Sequence, residues 1–438
     1  MRSAAHALAA LAVGMMLLPG SVVRAEGLTL RQCLEAALAH NPVMAESRLG
    51  LAASEEGIGS ALGRQFPRIS FDANYFRRED PVPFIPARST TIAAHFSDDY
   101  ASWSAILAFP LYSGGQLRTG VGLARTRRDI QELALTQNRN DLIANTVNTY
   151  NKLLQLQQMR AASQASVDAL AEQVKNSQLL YEVERIARVD LLKVRVQLAN
   201  EQQRLLVLDE ALYAAGATLR FLMGTDPEDG MPAPALAGHL VLADSTVNSA
   251  GDNAASWESR PEYRSALEGI REASLLHRAD QGKLLPSVAA SAGYTRQFGF
   301  DPTYQEPDWF LGLQVSFPLF DRSLYADLAR DRIQQRRAHE HLRAINNQLR
   351  LELDISRASI RESASRVSTA GQVIEQARES FRIEQDKYAA GAGTMSELLL
   401  AQAAQFSAEA NLSQALFDHN AAVVSYRKAT GTLEEYLK

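Results

Sequence analysis

The sequence predicts a mainly α-helical chain that also carries four β-strands, built as two copies of one structural repeat. Two stretches that alternate like strands end in the pairs Phe109-Pro110 and Phe317-Pro318. Each pair is followed by a long segment rich in the good helix formers Ala, Leu, Gln, Arg and Glu. The pairs lie 317 − 109 = 208 residues apart, about half of the 438-residue chain.

Residues 1–25 predict a secretory signal peptide. Arg2 precedes an apolar run, and Val23 and Ala25 occupy the −3 and −1 positions of a cleavage site. No later segment has about 18 consecutive apolar residues, so insertion into a membrane would use β-strands. The net charge of −5 and the lack of a basic sequence cluster argue against nucleic acid as a partner.

Cys33 is the only cysteine, so no internal disulfide can form. A lipid-modified cysteine would need small residues before it, whereas Arg31 and Gln32 precede this one. We expect Cys33 to be a packing residue on an amphipathic helix.

Matching residues in the two halves define the predicted domains. Pro42 and Pro67 match Pro261 and Pro286 at an offset of 219, and the offset then falls to about 208, which predicts a longer loop near Glu79–Asp99 in the first half. The predicted units are a first repeat 26–224 (β-hairpin 68–112, helical hairpin 114–224), a linker 225–259, a second repeat 260–431 (β-hairpin 287–319, helical hairpin 321–431) and a tail 432–438.

The predicted strands have one apolar face and one small or polar face over about nine residues. This length and pattern are typical of outer-membrane β-barrel strands. A soluble sandwich would show the same alternation, but the signal peptide and the absence of further strands favour the barrel. Five aromatic residues are predicted to lie at the membrane interface: Trp103, Trp309, Tyr75, Tyr100 and Tyr294. The alternative is that they face lipid elsewhere along the strands.

The strand–helix junctions are predicted at Pro110, Gly114 and Gly115 in the first repeat and at Pro318 in the second. We expect Pro110 to end the strand ladder and the two glycines to allow the change to helix, whereas Asp321 and Ser323 would cap the second helix. A continuous helix from Gln116 to about Glu182 would span ~100 Å. Such a helix must pack sideways against other helices, as in a coiled coil.

Four strands cannot close a barrel, and open sheet edges are not tolerated in lipid. Two chains would form a filled eight-stranded barrel, whereas three would form twelve strands around an aqueous lumen. A pore therefore implies at least a trimer, and the predicted fold is a trimeric α/β barrel with coiled-coil-like helical hairpins.

Several motifs carry a family resemblance: "HNPVM", "FPLYSGGQ", "FPLFDR", "YAAGAGTMSELL" and the duplication itself. In their order and spacing the chain resembles the TolC-type outer-membrane efflux channel family over about residues 28–432. The resemblance implies a homotrimer with a twelve-stranded barrel in outer-membrane lipid, a helical tunnel through the periplasm and a belt built from the termini and the linker. It also implies a periplasmic adaptor and an inner-membrane pump as partners.

No catalytic centre or cofactor is predicted. The motifs HExxH, GxSxG and CxxC are absent, and His339 and His341 fall on different sides of a helix, so no metal site is expected. The sequence does not indicate an enzyme.

The turns of the two helical hairpins are the candidate functional site. The resemblance places Asp190 and Glu397, which match at 397 − 190 = 207, at a closed periplasmic mouth, where Tyr388 would also lie. Arg185 and Arg188 could pair with the acids and hold the mouth shut. The alternative is that both acids only stabilise helix N-termini.

The same turns are predicted to dock the adaptor. The residues concerned are Glu184, which stands where the family has glycine, Gly391, Gly393, Leu191 and Leu398. The two leucines could equally belong to the core.

We therefore expect a passive channel that exports small molecules and is gated at its periplasmic mouth. One alternative is the same channel serving type I protein secretion. An alternative of another class is a structural coiled-coil envelope protein without a pore. The sequence does not identify the exported substrate.

Overall fold

The computed structural model describes residues 27–84, 95–225, 234–244, 257–300 and 303–437. The predicted signal peptide and much of the predicted linker lie outside the described residues. The elements are, in chain order, α1 (Leu30–His40), α2 (Pro42–Gly63), β1 (Arg68–Phe84), β2 (His95–Ser113), α3 (Gln116–Glu182), α4 (Arg188–Leu222), α5 (Pro261–Gly282), β3 (Ser287–Phe300), β4 (Thr303–Ser316), α6 (Arg322–Ala389) and α7 (Met395–Thr430). Short 3-10 helices span Trp257–Ser259 and Leu433–Leu437.

The mainly helical fold with a small sheet confirms the predicted fold class. The four strands form one antiparallel sheet in the order β1-β2-β3-β4. The strands are longer than the predicted nine residues, at 17, 19, 14 and 14 residues. The first hairpin therefore extends into the segment that was predicted as a loop, because β1 continues to Phe84 and β2 begins at His95.

One face of the sheet is mostly apolar and the other is mostly small or polar. Because paired residues of adjacent strands point to the same face, the register aligns residues into rows across all four strands. One apolar row is Ile69–Leu107–Ala292–Leu311 and the next is Phe71–Ala105–Tyr294–Trp309. The opposite face carries rows such as Asp72–Ser104–Thr295–Asp308.

The helices next to the sheet lie side by side in the same order as the strands to which they connect. Helix α2 packs on α3, α3 on α5, and α5 on α6, so the layer runs α2-α3-α5-α6. The long helices α3 and α6 then continue and form hairpins with α4 and α7. With 67 residues, α3 spans about 100 Å. It is uninterrupted because its sequence contains no proline and no glycine after Gly122.

The strand–helix junctions differ in part from the prediction. Pro110 does not end β2, which continues to Ser113 with a bulge between Pro110 and Tyr112. Proline is tolerated there because the β1–β2 ladder has already ended at the pair of Arg68 with Ala108. At the second junction β4 ends at Ser316, before Pro318, and Asp321 caps α6 by accepting a bond from the Ser323 amide at 2.8 Å.

Gly114 and Gly115 both adopt left-handed backbone conformations, with φ of 60° and 80°. A Cβ on Gly114 would lie 2.1 Å from the carbonyl oxygen of Gly282, at the end of α5. The two repeats therefore contact each other backbone to backbone at the first junction. Gly115 has nothing within 4 Å of such a Cβ.

Two segments outside the hairpins, one at Leu28 and one at Leu236, cross the long helix α3 near its middle. Leu28 bridges to Leu236 beside α3, where the Tyr150 hydroxyl donates to the carbonyl oxygens of Leu28 (3.1 Å) and Ala237 (2.7 Å). Asn420 of α7 binds the same segment farther along, donating to the Val241 carbonyl at 2.9 Å. Hydrogen bonds therefore join the start of the described chain and the linker to the helices.

The first repeat begins with two helices where one was predicted. Asn41 separates α1 from α2: it caps α2 by accepting from the Val43 amide at 2.9 Å and donates to the Leu222 carbonyl. On α1, Cys33 is fully buried against Tyr150 and Leu153, as a packing residue would be. Burial raises the pKa of the Cys33 thiol to about 11, so the thiol stays protonated and unreactive.

Candidate functional site: the tips of the helical hairpins

The two hairpin turns have the same backbone geometry. Glu184 adopts φ 59° where the second turn has Gly391 at φ 75°. The Arg185 amide donates to the Leu180 carbonyl at 2.7 Å, and the Ala392 amide makes the matching bond to Lys387 at 2.9 Å. Both turns thus close with the Schellman pattern. Glu184, which stands where the family has glycine, adopts the same turn, although glycine adopts this conformation at lower cost.

Gly393 does not supply a left-handed residue. Its amide donates to the Lys387 carbonyl at 3.1 Å, and an added Cβ would lie 3.1 Å from the Lys387 Cβ. Its role is close packing of the chain against the end of α6.

The hairpins contact each other just above the turns through a small apolar core of Val194, Met395 and Leu398, which are 0%, 3% and 7% exposed. Leu191 is buried as well. The prediction that Leu191 and Leu398 form a docking surface is therefore corrected: both lie inside the chain, because their positions face the other helices. The apolar side chains that the first turn exposes include Val183, Val189 and Leu192.

Glu397 is the third residue of α7 and closes a capping box with Thr394. Its carboxylate accepts from the Thr394 amide and hydroxyl, both at 2.8 Å, and its own amide donates to the Thr394 hydroxyl at 3.3 Å. These bonds hold the pKa of Glu397 below its ordinary value, with the backbone bond as the largest cause. Within one chain, Glu397 acts as a helix cap.

Asp190 occupies the matching place on α4 but makes different contacts. The N-cap of α4 is Ala187, which has no side-chain oxygen, so no capping box forms. Asp190 instead lies 3.4 Å from Lys193, whose ammonium group donates to Ser396 Oγ of α7 at 2.6 Å. Burial, and then the charge of Asp190, raise the pKa of Tyr388. Asp190, Lys193, Ser396 and Tyr388 thus lie together at the tip.

The predicted arginines are exposed on the first turn. Among the described residues neither Arg185 nor Arg188 forms an ion pair with Asp190 or Glu397. Lys193, which the sequence reasoning did not select, is the cation that contacts the acid. The signal for it was present, since a lysine three residues after an acid on a helix faces that acid.

Four of the five predicted interface aromatics, Trp103, Trp309, Tyr75 and Tyr294, lie on the apolar face of the sheet. Trp103 lies 5.4 Å from Tyr294 between ring centroids, and the register places Tyr294 opposite Trp309. Tyr75 lies nearer the strand connections, and its hydroxyl donates to Asp99 at 2.8 Å. Tyr100 points to the other face, because it pairs with Phe76 and Gly299.

A second group of exposed aromatic residues, which was not predicted, surrounds the strand–helix junctions: Phe66, Tyr112, Phe317 and Phe320. Phe317 follows Trp309 by eight residues (317 − 309), at most about 26 Å along a strand. An outer-membrane barrel has an apolar band roughly 25 Å tall between two aromatic girdles. Along a strand tilted by 35–45°, this separation corresponds to roughly 20 Å across the membrane, close to the height of such a band.

The described residues contain no cluster of His, Cys, Asp and Glu side chains that could hold a metal ion. No helix in the described part of the chain combines the length and the apolarity that a membrane span requires.

A sheet with opposed apolar and polar faces, continuous with helices about 100 Å long, defines the subunit of a membrane channel. The model of the family described as "Outer membrane efflux protein" matches residues 33–225 and 256–432. The chain therefore belongs to the outer membrane efflux protein family. It is the outer-membrane channel component of a tripartite efflux pump, extends into the periplasm and is not an enzyme.

Similar proteins agree with this family. The outer membrane efflux protein BepC of Brucella suis is 24% identical, with 97% of this chain and 90% of the relative aligned. Among solved structures, VceC of Vibrio cholerae is 18% identical with a TM-score of 0.76, covering 92% of this chain and 96% of that one. The Campylobacter jejuni CmeC outer membrane channel is 15% identical with a TM-score of 0.82, covering 92% and 85%.

Proposed function

We propose that the protein acts as a passive homotrimeric conduit for small molecules, gated at the hairpin tips and driven by a pump through a periplasmic adaptor. The observation that carries the proposal is the open four-stranded sheet, whose faces separate apolar from polar side chains. Three copies would supply twelve strands, with the polar face around an aqueous lumen. The resemblance to the family supports the same stoichiometry and partners.

The hairpin tips are the proposed gate. In a trimer, Asp190 and Glu397 would place six carboxylates around the periplasmic mouth, which would favour cations over anions. The exposed Val183, Val189 and Leu192, with Glu184 and Gly391 in the turns, form the proposed adaptor surface. Arg185 and Arg188 are free to pair with the acids of a neighbouring copy.

The carboxylates are tested by Asp190→Asn combined with Glu397→Gln. We expect the variant to lose much of its cation selectivity, because both charges leave the narrowest part of the path. The measurement is the reversal potential of single channels in a planar bilayer under a KCl gradient. The control is Glu434→Gln with Glu435→Gln, which removes the same charge from two exposed side chains of the C-terminal 3-10 helix. Unchanged selectivity in the tip variant would contradict the proposal.

The closed state is tested by Lys193→Met. Lys193 joins α4 to α7, so its loss would remove a contact that must break when the hairpins separate. A hydrogen bond to a charged group contributes about 1.5–3 kcal/mol, less at an exposed site, so we expect a several-fold higher open probability. Bilayer recordings measure it, with Lys175→Met as the control, since the ion pair of Lys175 with Glu172 lies within α3. Equal open probabilities would exclude Lys193 from the gate.

A further inference from the structure

The sheet and the helical layer both have two open edges, and these edges coincide. β1 and β4 are the outer strands of the sheet. α2 leads into β1 and α6 follows β4, and these are also the outer helices of the layer α2-α3-α5-α6. If β4 of one copy pairs with β1 of the next, the connections therefore bring α6 of the first copy beside α2 of the second.

The open face of α6 combines exposed apolar side chains with arginines. Ile333 and Leu351 are 58% and 59% exposed and lie away from the face that buries Asp331 and Leu349. Beside them is a row of arginines spaced by four and seven residues, which keeps them on one side of the helix. The row is Arg332, Arg336, Arg343 and Arg350. In the described part of the chain, Arg332 and Arg336 have no ion-pair partner, whereas Arg343 lies 3.6 Å from the exposed Glu340 of the same helix.

The open face of α2 has the complementary character. Leu49 is 70% exposed, and Glu56, seven residues later, lies on the same side of the helix. Small residues, Ala53 and Ser60, flank Glu56 on this face and permit close approach of another helix. Glu56 forms no ion pair within the described residues, whereas its neighbour Glu55 faces Arg128 of α3 at 3.6 Å.

Ion pairs across the layer show which residues of its two edges lie at the same height. Glu55 of α2 contacts Arg128 of α3, and the preceding Arg127 contacts Glu272 of α5 at 2.8 Å. Residues 55 and 272 are therefore at nearly one height.

The same comparison extends to α6. His277 of α5 lies 3.9 Å from Asp331 of α6. The two helices are antiparallel, so moving five residues back along α5, to Glu272, corresponds to moving five residues forward along α6, to Arg336. Arg336 and the pair Glu55-Glu56 thus occupy the same height at the two open edges.

We propose that these two faces form one seam between neighbouring copies of the chain, in which Arg336 and Arg343 of one copy meet Glu56 of the next. The seam rests on the proposed trimer and identifies the residues that assemble it. Burial of Leu49, Ile333 and Leu351 supplies the favourable free energy. The charges select the pairing, because an α6–α6 contact would oppose arginines whereas α2 against α6 matches unlike charges. A head-to-tail contact of this kind closes into a ring when the rotation between copies closes, as the shared barrel of the proposed trimer requires.

A disulfide between Glu56→Cys and Arg336→Cys tests the seam in the full-length protein. α3 and α5 separate α2 from α6 within one chain, a distance of roughly 25 Å at the usual helix spacing, so a disulfide can form only between copies. Cys33 is fully buried and does not interfere. We expect linked dimers and trimers on non-reducing gels. In the control pair Glu56→Cys with Arg361→Cys, position 361 lies much nearer the hairpin tip of α6. This variant should run as an unlinked monomer on the same gels.

Charge exchange provides the second measurement. Arg336→Glu with Arg343→Glu should reduce the trimer at least tenfold in native mass spectrometry, and adding Glu56→Arg should restore most of it. If the wild-type protein is trimeric but the double-cysteine variant forms no disulfide and the charge variants leave the trimer unchanged, the seam is overturned and the proposed conduit stays intact. A monomeric wild type would overturn both.

Discussion

Leu311→Arg is expected to destabilise the membrane-inserted protein by about 2–4 kcal/mol, the cost of a cation on the lipid face of a barrel near its midplane. Leu311 is 77% exposed and lies in the apolar row between the aromatic row of Trp309 and the junction aromatics. In an assembled barrel this side chain has only lipid around it, so an arginine there has no polar partner. The free energy is measured by urea unfolding in lipid vesicles.

Gln314→Arg is the matched control, because it lies on the same strand, is also exposed, and points to the polar face. We expect its unfolding free energy to change by less than about 1 kcal/mol, as for a lumen-facing substitution. Equal losses in the two variants would show that the faces of the sheet are assigned incorrectly, and the proposed lumen with them.

Gly114→Ala is expected to cost about 2–5 kcal/mol, the sum of a left-handed conformation and a steric conflict. The new Cβ would lie 2.1 Å from the Gly282 carbonyl oxygen, and backbone on both sides leaves little room for relaxation. We expect the end of α5 to move away from the first junction and loosen the contact between the repeats. Loss of folded protein on unheated gels and a lower midpoint of urea unfolding measure the effect.

Gly115→Ala separates the two causes. Gly115 has the same left-handed backbone, at φ 80°, but nothing within 4 Å of an added Cβ. Its cost should be limited to about 1–2 kcal/mol. If Gly115→Ala were as damaging as Gly114→Ala, backbone conformation alone would account for both losses and the contact with Gly282 would be irrelevant.

The long helices were the most predictable part of the chain. The predicted helix from Gln116 to about Glu182 has the bounds of α3, because the sequence between them has no proline and few glycines. The two faces of each strand were also predictable, since apolar and polar residues alternate along the sequence. The strand ends were not, because Asp99 looks like a loop residue although it pairs with Arg77 within the sheet.

The tip shows where sequence reasoning failed and where it was incomplete. Leu191 and Leu398 are core residues, which depends on which way two packed hairpins face each other. The sequence could have predicted that Asp190 and Glu397 differ. Thr394 and Glu397 have the residue types and spacing of a capping box, whereas Ala187, three residues before Asp190, has no side-chain oxygen. The contact of Lys193 with Ser396 joins residues 203 positions apart and could come only from the fold.

The sequence by itself determined the duplication, the two-faced strands and the uninterrupted helices, because each follows from local spacing and from where proline and glycine are absent. Tertiary structure alone decided that Gly114 meets Gly282 and that α2 and α6 remain at the open edges. These features depend on contacts between segments far apart in the chain, and no local pattern records which segments will meet.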